Sequence, residues 1–375
     1  MKKKIKIITV FGTRPDAVKM APLVKALSND DSIESVVCVT GQHREMLDQV
    51  LNVFDIKPDY DLKIMKKSQT LEYITSSIMK KFGQVLETEK PDFVLVHGDT
   101  ATCLISSLTA FYQQIPVGHV EAGLRSYDIY SPFPEEMNRK LVGSLATLHF
   151  SPTVNNRNNL LHEGIKEENI FITGNTVIDA LHTTVTTDYH FECDELNKID
   201  YVGKRVIAMT AHRRENLGKP LENICEAVSV LSEKYDDILF VYPVHLNPAV
   251  MDTVYPRLSN HKNILLTSPV NVRDLHNLMK RSYLVLTDSG GLQEEAPSLG
   301  KPVLVMRKET ERPEAVEAGT VKLTGTETDD IIRDTSLLLD SKEEYDKMAN
   351  AVNPYGDGHA SEKIIEGIKS YFNRQ

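Results

Sequence analysis

Carboxylates stand directly after short apolar runs at several points of this sequence, where a strand end would present them to a ligand. Glu121 follows Val117–Val120, and Asp99 follows Phe93–Val96 within His97-Gly98-Asp99-Thr100. Glu135 and Glu136 come just after Pro134, with Arg139 one turn further on. Clustered carboxylates of this kind can take a proton from one atom and return it to another. Each also has a plainer reading. Asp99 could cap the next helix, the Glu135-Glu136 pair could offset a helix dipole, and Glu121 could lie in a buried salt bridge with Arg125 or Arg139.

Cations occupy the same kind of position. Gly12-Thr13-Arg14-Pro15-Asp16-Ala17-Val18-Lys19 follows the first apolar run. A glycine turn before a helix offers backbone N–H groups and a positive helix end to an anion, and Arg14 and Lys19 would add charge. His212-Arg213-Arg214 follows another run, and a guanidinium matches the geometry of phosphate oxygens. In Asp288-Ser289-Gly290-Gly291 the small residues would let backbone approach a phosphate, with Glu295 placed to reach a sugar hydroxyl. Arg312 closes the charged stretch Arg307–Arg312 at one more strand end. Surface turns and solvated charge are the alternatives here. The sequence has no G-x-G-x-x-G and no Walker pattern, so neither a dinucleotide fingerprint nor a P-loop is present. His97, His119, His212 and His245 lack metal-ligand spacing. No metal is expected, and a diphosphate would depend on Arg, Lys and helix dipoles.

The elements that must position these residues are an alternation of strands and helices. Ile5–Phe11, Val36–Thr40, Phe93–Val96, Val117–Val120 and Leu148–Phe150 read as strands, with helices such as Ala17–Leu27, Arg44–Phe54, Leu71–Glu87 and Ala101–Tyr112 between them. The rhythm restarts after Gly174 with Val206–Thr210, Leu239–Val244, Ile264–Leu266, Leu284–Leu286 and Val303–Val305. This predicts an α/β protein of two parallel-sheet domains, 1–174 and 175–358. The helical segment 359–375 follows the turn-rich stretch 353–358, a hinge signal. Two such domains form a cleft at the C-terminal ends of their strands, where open α/β sheets bind ligands.

Composition agrees. A chain of 375 residues suits two domains, and 41% hydrophobic with 26% charged residues can fill their cores. Lys+Arg is 43 against Asp+Glu 53, a formal net charge of −10, which excludes a general nucleic-acid binder. No apolar run approaches the ~20 residues that span a bilayer. Cys38, Cys103, Cys193 and Cys225 are scattered, as expected for reduced thiols in a cytoplasmic protein.

Phe11–Pro15, Lys19–Pro22, Gly41–Arg44, His97–Thr100, His119–Arg125, Pro134–Arg139, His212–Asn216, Ser289–Glu295 and Glu311–Glu314 occur in one order. That ordered set resembles the non-hydrolysing UDP-N-acetylglucosamine 2-epimerases of bacteria over nearly the whole chain. The resemblance implies a glycosyltransferase-B-like fold of two Rossmann-like domains with a cleft between them, the final helix, 359–375, crossing back to the first domain, and a homodimer. It also implies reversible interconversion of UDP-GlcNAc and UDP-ManNAc without NAD or another cofactor, supplying ManNAc units for cell-envelope polysaccharide. By motif, it makes Asp99, Glu121, Glu135 and His212 catalytic. It assigns Arg14, Lys19, Arg139, Ser289, Gly290, Gly291, Glu295 and Arg312 to the substrate, with the uracil facing Val270–Leu275. Gln42, His43, Arg213 and His245, with Glu135, resemble a site for a second, activating UDP-GlcNAc. Glu45 and Ser68 fall beside that set and weaken its match.

The hydrogen on C2 has no neighbouring carbonyl to make it acidic, and no dinucleotide fingerprint supplies an oxidant for C3. Loss of UDP from C1 through an oxocarbenium-like transition state would acidify it. A carboxylate then removes the proton to leave 2-acetamidoglucal, and re-addition with protonation from the other face gives the epimer. A glycosyltransferase of the same fold, a hydrolysing 2-epimerase and a non-catalytic sugar-nucleotide sensor are the rival readings. The first would explain the cations but not the carboxylates.

Overall fold

The computed structural model describes residues 3–42, 44–66 and 69–374. The chain divides into two compact units, Met1–Thr183 with Tyr355–Gln375, and Thr184–Pro354.

The first unit is built on a seven-stranded sheet of β1 (Ile5–Phe11), β2 (Ile33–Val39), β3 (Tyr60–Asp61), β4 (Phe93–His97), β5 (Val117–Val120), β6 (Leu148–Ser151) and β7 (Ile170–Ile172). Its order is β3-β2-β1-β4-β5-β6-β7, and every pairing is parallel. Parallel strands are covered on both faces, so they read as near-continuous apolar runs. In β1, Ile7, Ile8, Val10 and Phe11 are all buried. Ile8, Val10, Val94 and Val96 pack with Ile78 and Phe82 of the helix Leu71–Glu89 and Ile105 of the helix Ala101–Tyr112.

The second unit carries β8 (Arg205–Thr210), β9 (Ile238–Pro243), β10 (Ile264–Thr267), β11 (Leu284–Thr287), β12 (Val303–Val305) and β13 (Val321–Leu323). The order β10-β9-β8-β11-β12-β13 is again wholly parallel. The helix Lys219–Lys234 buries Leu221, Ile224, Val228 and Leu231 on one stripe against Ile207, Met209 and Phe240. In both sheets the chain reverses direction of winding beside its first strand, at β1/β4 and at β8/β11. Such switch points leave a crevice at the strands' carboxyl ends.

Two details differ from the expectation. The division falls at Thr183/Thr184 rather than at Gly174, and the return begins at Tyr355 rather than 359. The reason is the helix Thr176–Thr184, whose Asp179 accepts hydrogen bonds from the N–H groups of Ala360 (3.2 Å) and Ser361 (2.7 Å) at the start of the final helix, Ala360–Arg374. Just before it, Asn175 N–H donates to Tyr355 O at 2.7 Å. A Cβ on Gly174 would stand 3.0 Å from that same oxygen, and its φ is +84°, so glycine suits this crossing of chains. The edge strands β3 and β13 were also not anticipated, because two or three residues carry no periodic signal. Among the described residues, no helix is long and apolar enough to cross a membrane.

Candidate active site

In the first unit, the candidate residues leave the carboxyl ends of β1, β4 and β5. After β1, Thr13 caps the helix Arg14–Ser28, and Asp16 completes a reciprocal capping box with it. Arg14 is therefore the first helical residue, half-buried, and Lys19 lies one turn further along. After β5, Glu121 takes a left-handed conformation with φ +63°, which costs a non-glycine residue ~1–3 kcal/mol and so marks a position held by its surroundings. The carboxylate is 8% exposed. Its Oε1 forms an ion pair with Lys19 Nζ and accepts from Asn175 Nδ2 at 2.9 Å. Its Oε2 is 3.5 Å from His97 Nε2. A buried carboxylate needs such partners. Lys19 is the ion-pair partner for which the plainer reading of Glu121 named Arg125 or Arg139. Arg125 pairs instead with Glu163 at 2.6 Å.

Arg139 is committed to Asp99, through Nε at 2.9 Å and Nη2 at 2.7 Å, and to Glu136 at 3.0 Å. Burial works against the Arg139 charge, but these two carboxylates outweigh it and raise its pKa. Asp99 is not the helix cap: Thr100 is, accepting from Cys103 N–H at 3.3 Å. The adjacent glutamates have separate environments. Glu136 is fully buried and accepts from the N–H groups of Ser126 and Tyr127, pinning the loop before it. Glu135 is half-buried at the start of the helix Glu135–Leu145. His119 props the turn after β4 through a 2.7 Å bond from Nε2 to Gly98 O. Burial pushes its pKa down to about 3, so it is a neutral prop.

The second unit gathers its candidates after β8, β11 and β12. Asp288, fully buried, ties two of these loops together. Its Oδ2 accepts from His212 N–H at 2.8 Å, Arg213 N–H at 2.7 Å and Asn216 Nδ2 at 3.1 Å. The His212 ring stacks on His245, with centroids 5.2 Å apart and planes 9° apart. Ser289 and Gly290 then turn toward two guanidinium groups. A Cβ on Gly290 would lie 3.1 Å from Arg312 Nη1 and 3.4 Å from Arg213 Nη2. Arg312 is aimed by Glu294, which accepts from its Nε at 2.6 Å, and by Thr310, which accepts from its N–H. Beyond Gly291, Glu295 Oε2 lies 3.3 Å from His276 Nε2, whose other nitrogen is 2.6 Å from Thr184 Oγ1. The loop at Val270–Leu275 opens the helix Val272–Arg281, capped by Asn271.

The structure thus assembles Lys19 with Glu121, Asp99 with Arg139, and Arg213 with Gly290 and Arg312. Arg213 and His245, assigned by resemblance to the activator, stand respectively beside Gly290 and against His212. Gln42 is in the first unit, where its side chain accepts from the Thr102 hydroxyl at 3.1 Å. His43 and Ser68 lie outside the described residues, as does the side chain of Glu45. Sequence reasoning missed His97, Asn175, Asp288 and Glu294 as site residues. His97 ends β4, and Asn175 and Asp288 follow β7 and β11, so position could have flagged these three. Among the described residues, no group of three or more His, Cys, Asp or Glu could hold a metal ion.

A family model for UDP-N-acetylglucosamine 2-epimerase matches residues 25–369. The UDP-N-acetylglucosamine 2-epimerase of Bacillus subtilis is 53% identical over 371 residues, covering 99% of this chain and 96% of that protein. The enzyme of that name from Campylobacter jejuni is 54% identical over 368 residues, covering 96% of each. The crystal structure of UDP-GlcNAc 2-epimerase from Neisseria meningitidis, bound to UDP-GlcNAc, superposes with a TM-score of 0.86 at 50% identity, covering 98% of this chain and all of that one. Two Rossmann-like α/β units are therefore common to the chain and to these glycosyltransferase-B-like epimerases.

Proposed function

The chain belongs to the UDP-N-acetylglucosamine 2-epimerase family, and from that premise we propose that it interconverts UDP-GlcNAc and UDP-ManNAc reversibly, without hydrolysis. The reaction proceeds by loss of UDP to 2-acetamidoglucal, followed by re-addition. The second unit holds the nucleotide. Arg312 stands at the Gly290 turn, and a fixed cation stabilises the departing diphosphate most where charge develops. Ser289, Gly291 and Glu295 line the same turn, with Glu295 reaching the ribose and His212 the diphosphate. The first unit acts on the sugar. Glu121 exchanges the C2 proton, Asp99 and Glu135 serve the other face, Lys19 and Arg139 brace Glu121 and Asp99, and Arg14 and Lys19 add positive charge for the departing diphosphate.

The observation that carries this reading is the Glu121 carboxylate, buried, strained and held by Lys19 and Asn175 at a strand end. Nucleotide binding alone does not call for it, which sets the reading apart from a transferase. The same reading includes a homodimer, a supply of ManNAc for cell-envelope polysaccharide, and a second UDP-GlcNAc as activator held by Gln42, His43, Arg213 and His245. The chemistry is tested by incubation with UDP-GlcNAc alone in D₂O, followed by proton NMR. UDP-ManNAc carrying deuterium at C2 is expected. Epimer without deuterium would rule out elimination and re-addition, and free ManNAc would make the enzyme hydrolysing.

A further inference from the structure

Behind Glu121 lie two buried titratable side chains that the reaction as derived does not use. His97, the last residue of β4, and Asp16, in the first turn of the helix Arg14–Ser28, are each 4% exposed. The imidazole stands between two carboxylates, with Nδ1 3.5 Å from Asp16 Oδ1 and Nε2 3.5 Å from Glu121 Oε2. At these distances neither ring nitrogen is settled in a hydrogen bond. A buried imidazole with both nitrogens short of a partner is costly and calls for an explanation. Asp16 is fixed from its other side, accepting from Thr13 N–H and from the Thr100 hydroxyl, each at 3.3 Å on Oδ2. Lys19, Asn175 and the Cys103 thiol complete the surroundings. Burial, then the nearby Asp16, Asp99 and Glu121, raise the pKa of that thiol well above its ordinary value.

An epimerase that removes a proton on one face and supplies one on the other must clear the first carboxyl group in every turnover. Glu121 is nearly closed to solvent, and Lys19 and Asn175 both hold its Oε1. We propose that His97 and Asp16 form a proton relay that clears and reloads Glu121. This rests on Glu121 being the group that exchanges the C2 proton. Glu121 takes the C2 proton on Oε2, the oxygen beside His97, while Oε1 keeps its bonds to Lys19 and Asn175. Oε–H then passes to His97 Nε2 while Nδ1–H passes to Asp16 Oδ1. Two protons hop and one net proton crosses: Glu121 is again a carboxylate, His97 has changed tautomer, and Asp16 is neutral until it passes the proton to solvent or back to His97. The relay runs in both directions, as a reversible reaction requires. His97 and Asp16 are positioning residues here, since they act through Glu121.

Asp16→Asn tests this with little disturbance, because this chain already uses asparagine in the same capping role. Asn156 accepts from Thr153 N–H and donates to Thr153 Oγ1, both at 3.2 Å. Full-length enzyme is run in D₂O with UDP-GlcNAc, and deuterium at C2 is measured in product and in recovered substrate. With the relay cut, the abstracted proton stays on Glu121 and returns to its own face. Asp16→Asn should lower kcat ~10-fold or more with KM unchanged, and should lower deuterium in recovered UDP-GlcNAc relative to product. His97→Gln should do the same, and decides by the same ratio if Asp16→Asn does not fold. A fall in kcat with the wild-type ratio means packing alone and overturns the relay, as does unchanged kcat. Absence of deuterium from the product of the unmodified enzyme is a different failure, that of the epimerisation chemistry itself.

Discussion

The two units share a sheet order and a switch point, yet they arm their strand ends in opposite ways. After β4 and β5 the first unit presents carboxylates matched by cations: Glu121 by Lys19, Asp99 and Glu136 by Arg139. After β8, β11 and β12 the second unit turns its one fully buried strand-end carboxylate, Asp288, onto backbone N–H groups, and points guanidinium groups at Gly290. In the first unit an acid or base sits where a proton can be exchanged. In the second, negative charge braces the loops and aims a cation: Asp288 holds backbone N–H groups, and Glu294 holds Arg312 at the Gly290 turn. On the proposed function, one backbone plan serves proton transfer in one unit and anion binding in the other. The difference lies in which sign of charge the loops aim outward and which sign they use to brace themselves.

That division of labour can be broken from either side. Glu121→Gln keeps the size of the side chain and its bond to Asn175 but removes its basicity. Epimerisation should fall about 10²–10⁴-fold, the usual contribution of a positioned acid or base. UDP affinity by calorimetry should stay within about twofold of the unmodified enzyme. Full activity would move the role to Asp99 or Glu135. The smaller, converse effect is expected from Gly290→Val. Its Cβ would press on Arg312 at 3.1 Å and on Arg213 at 3.4 Å, displacing both guanidinium groups from the turn. Losing charge-assisted hydrogen bonds worth ~1.5–3 kcal/mol should weaken UDP binding roughly 10–100-fold. Unchanged UDP affinity would remove the diphosphate from this turn.

The positions of the site residues were legible in the sequence because buried parallel strands are continuous apolar runs, and the residue after such a run is at a strand end. Their partners were not. Lys19 and Glu121 are separated by 102 residues, and Arg139 and Asp99 by 40. The choice among Arg125, Arg139 and Lys19 as mates for Glu121 depends on which loops the sheet order brings side by side. That order appears only once β1, β4 and β5 are neighbours. His97 was hidden for a related reason: its two carboxylate neighbours come from different strand ends. The unit boundary was misplaced because Asp179 caps a helix whose sequence lies about 180 residues away.

The smallest expected effect concerns acid. His119 and His149 are directly opposite each other on β5 and β6 of the first unit, and each is 1% exposed. Burial, more than the nearby Arg125, drives both imidazoles from the ordinary 6.5 down to about 3 and about 4. The unfolded chain takes up these protons near pH 6.5, whereas the folded unit refuses them until much lower pH. Stability is therefore intact above pH 6.5 and is lost as pH falls toward 4 and 3. Each histidine contributes up to ~1.4 kcal/mol per pH unit over that window. In the second unit, burial alone would raise Glu311, but the Arg307 hydrogen bonds bring it down to about 2. What that carboxylate contributes is present above pH 4.5 and fades only below it. Hydrogen exchange at pH 6.5 and 4.5, corrected for intrinsic rates, should show β5 and β6 loosening while β8 and β11 hold. His149→Gln should reduce the acid sensitivity of the first unit by roughly half, because one of two refusing imidazoles is gone. Equal loosening of both sheets would show that the buried histidines do not set the acid limit, and that the units differ in chemistry but not in their response to protons.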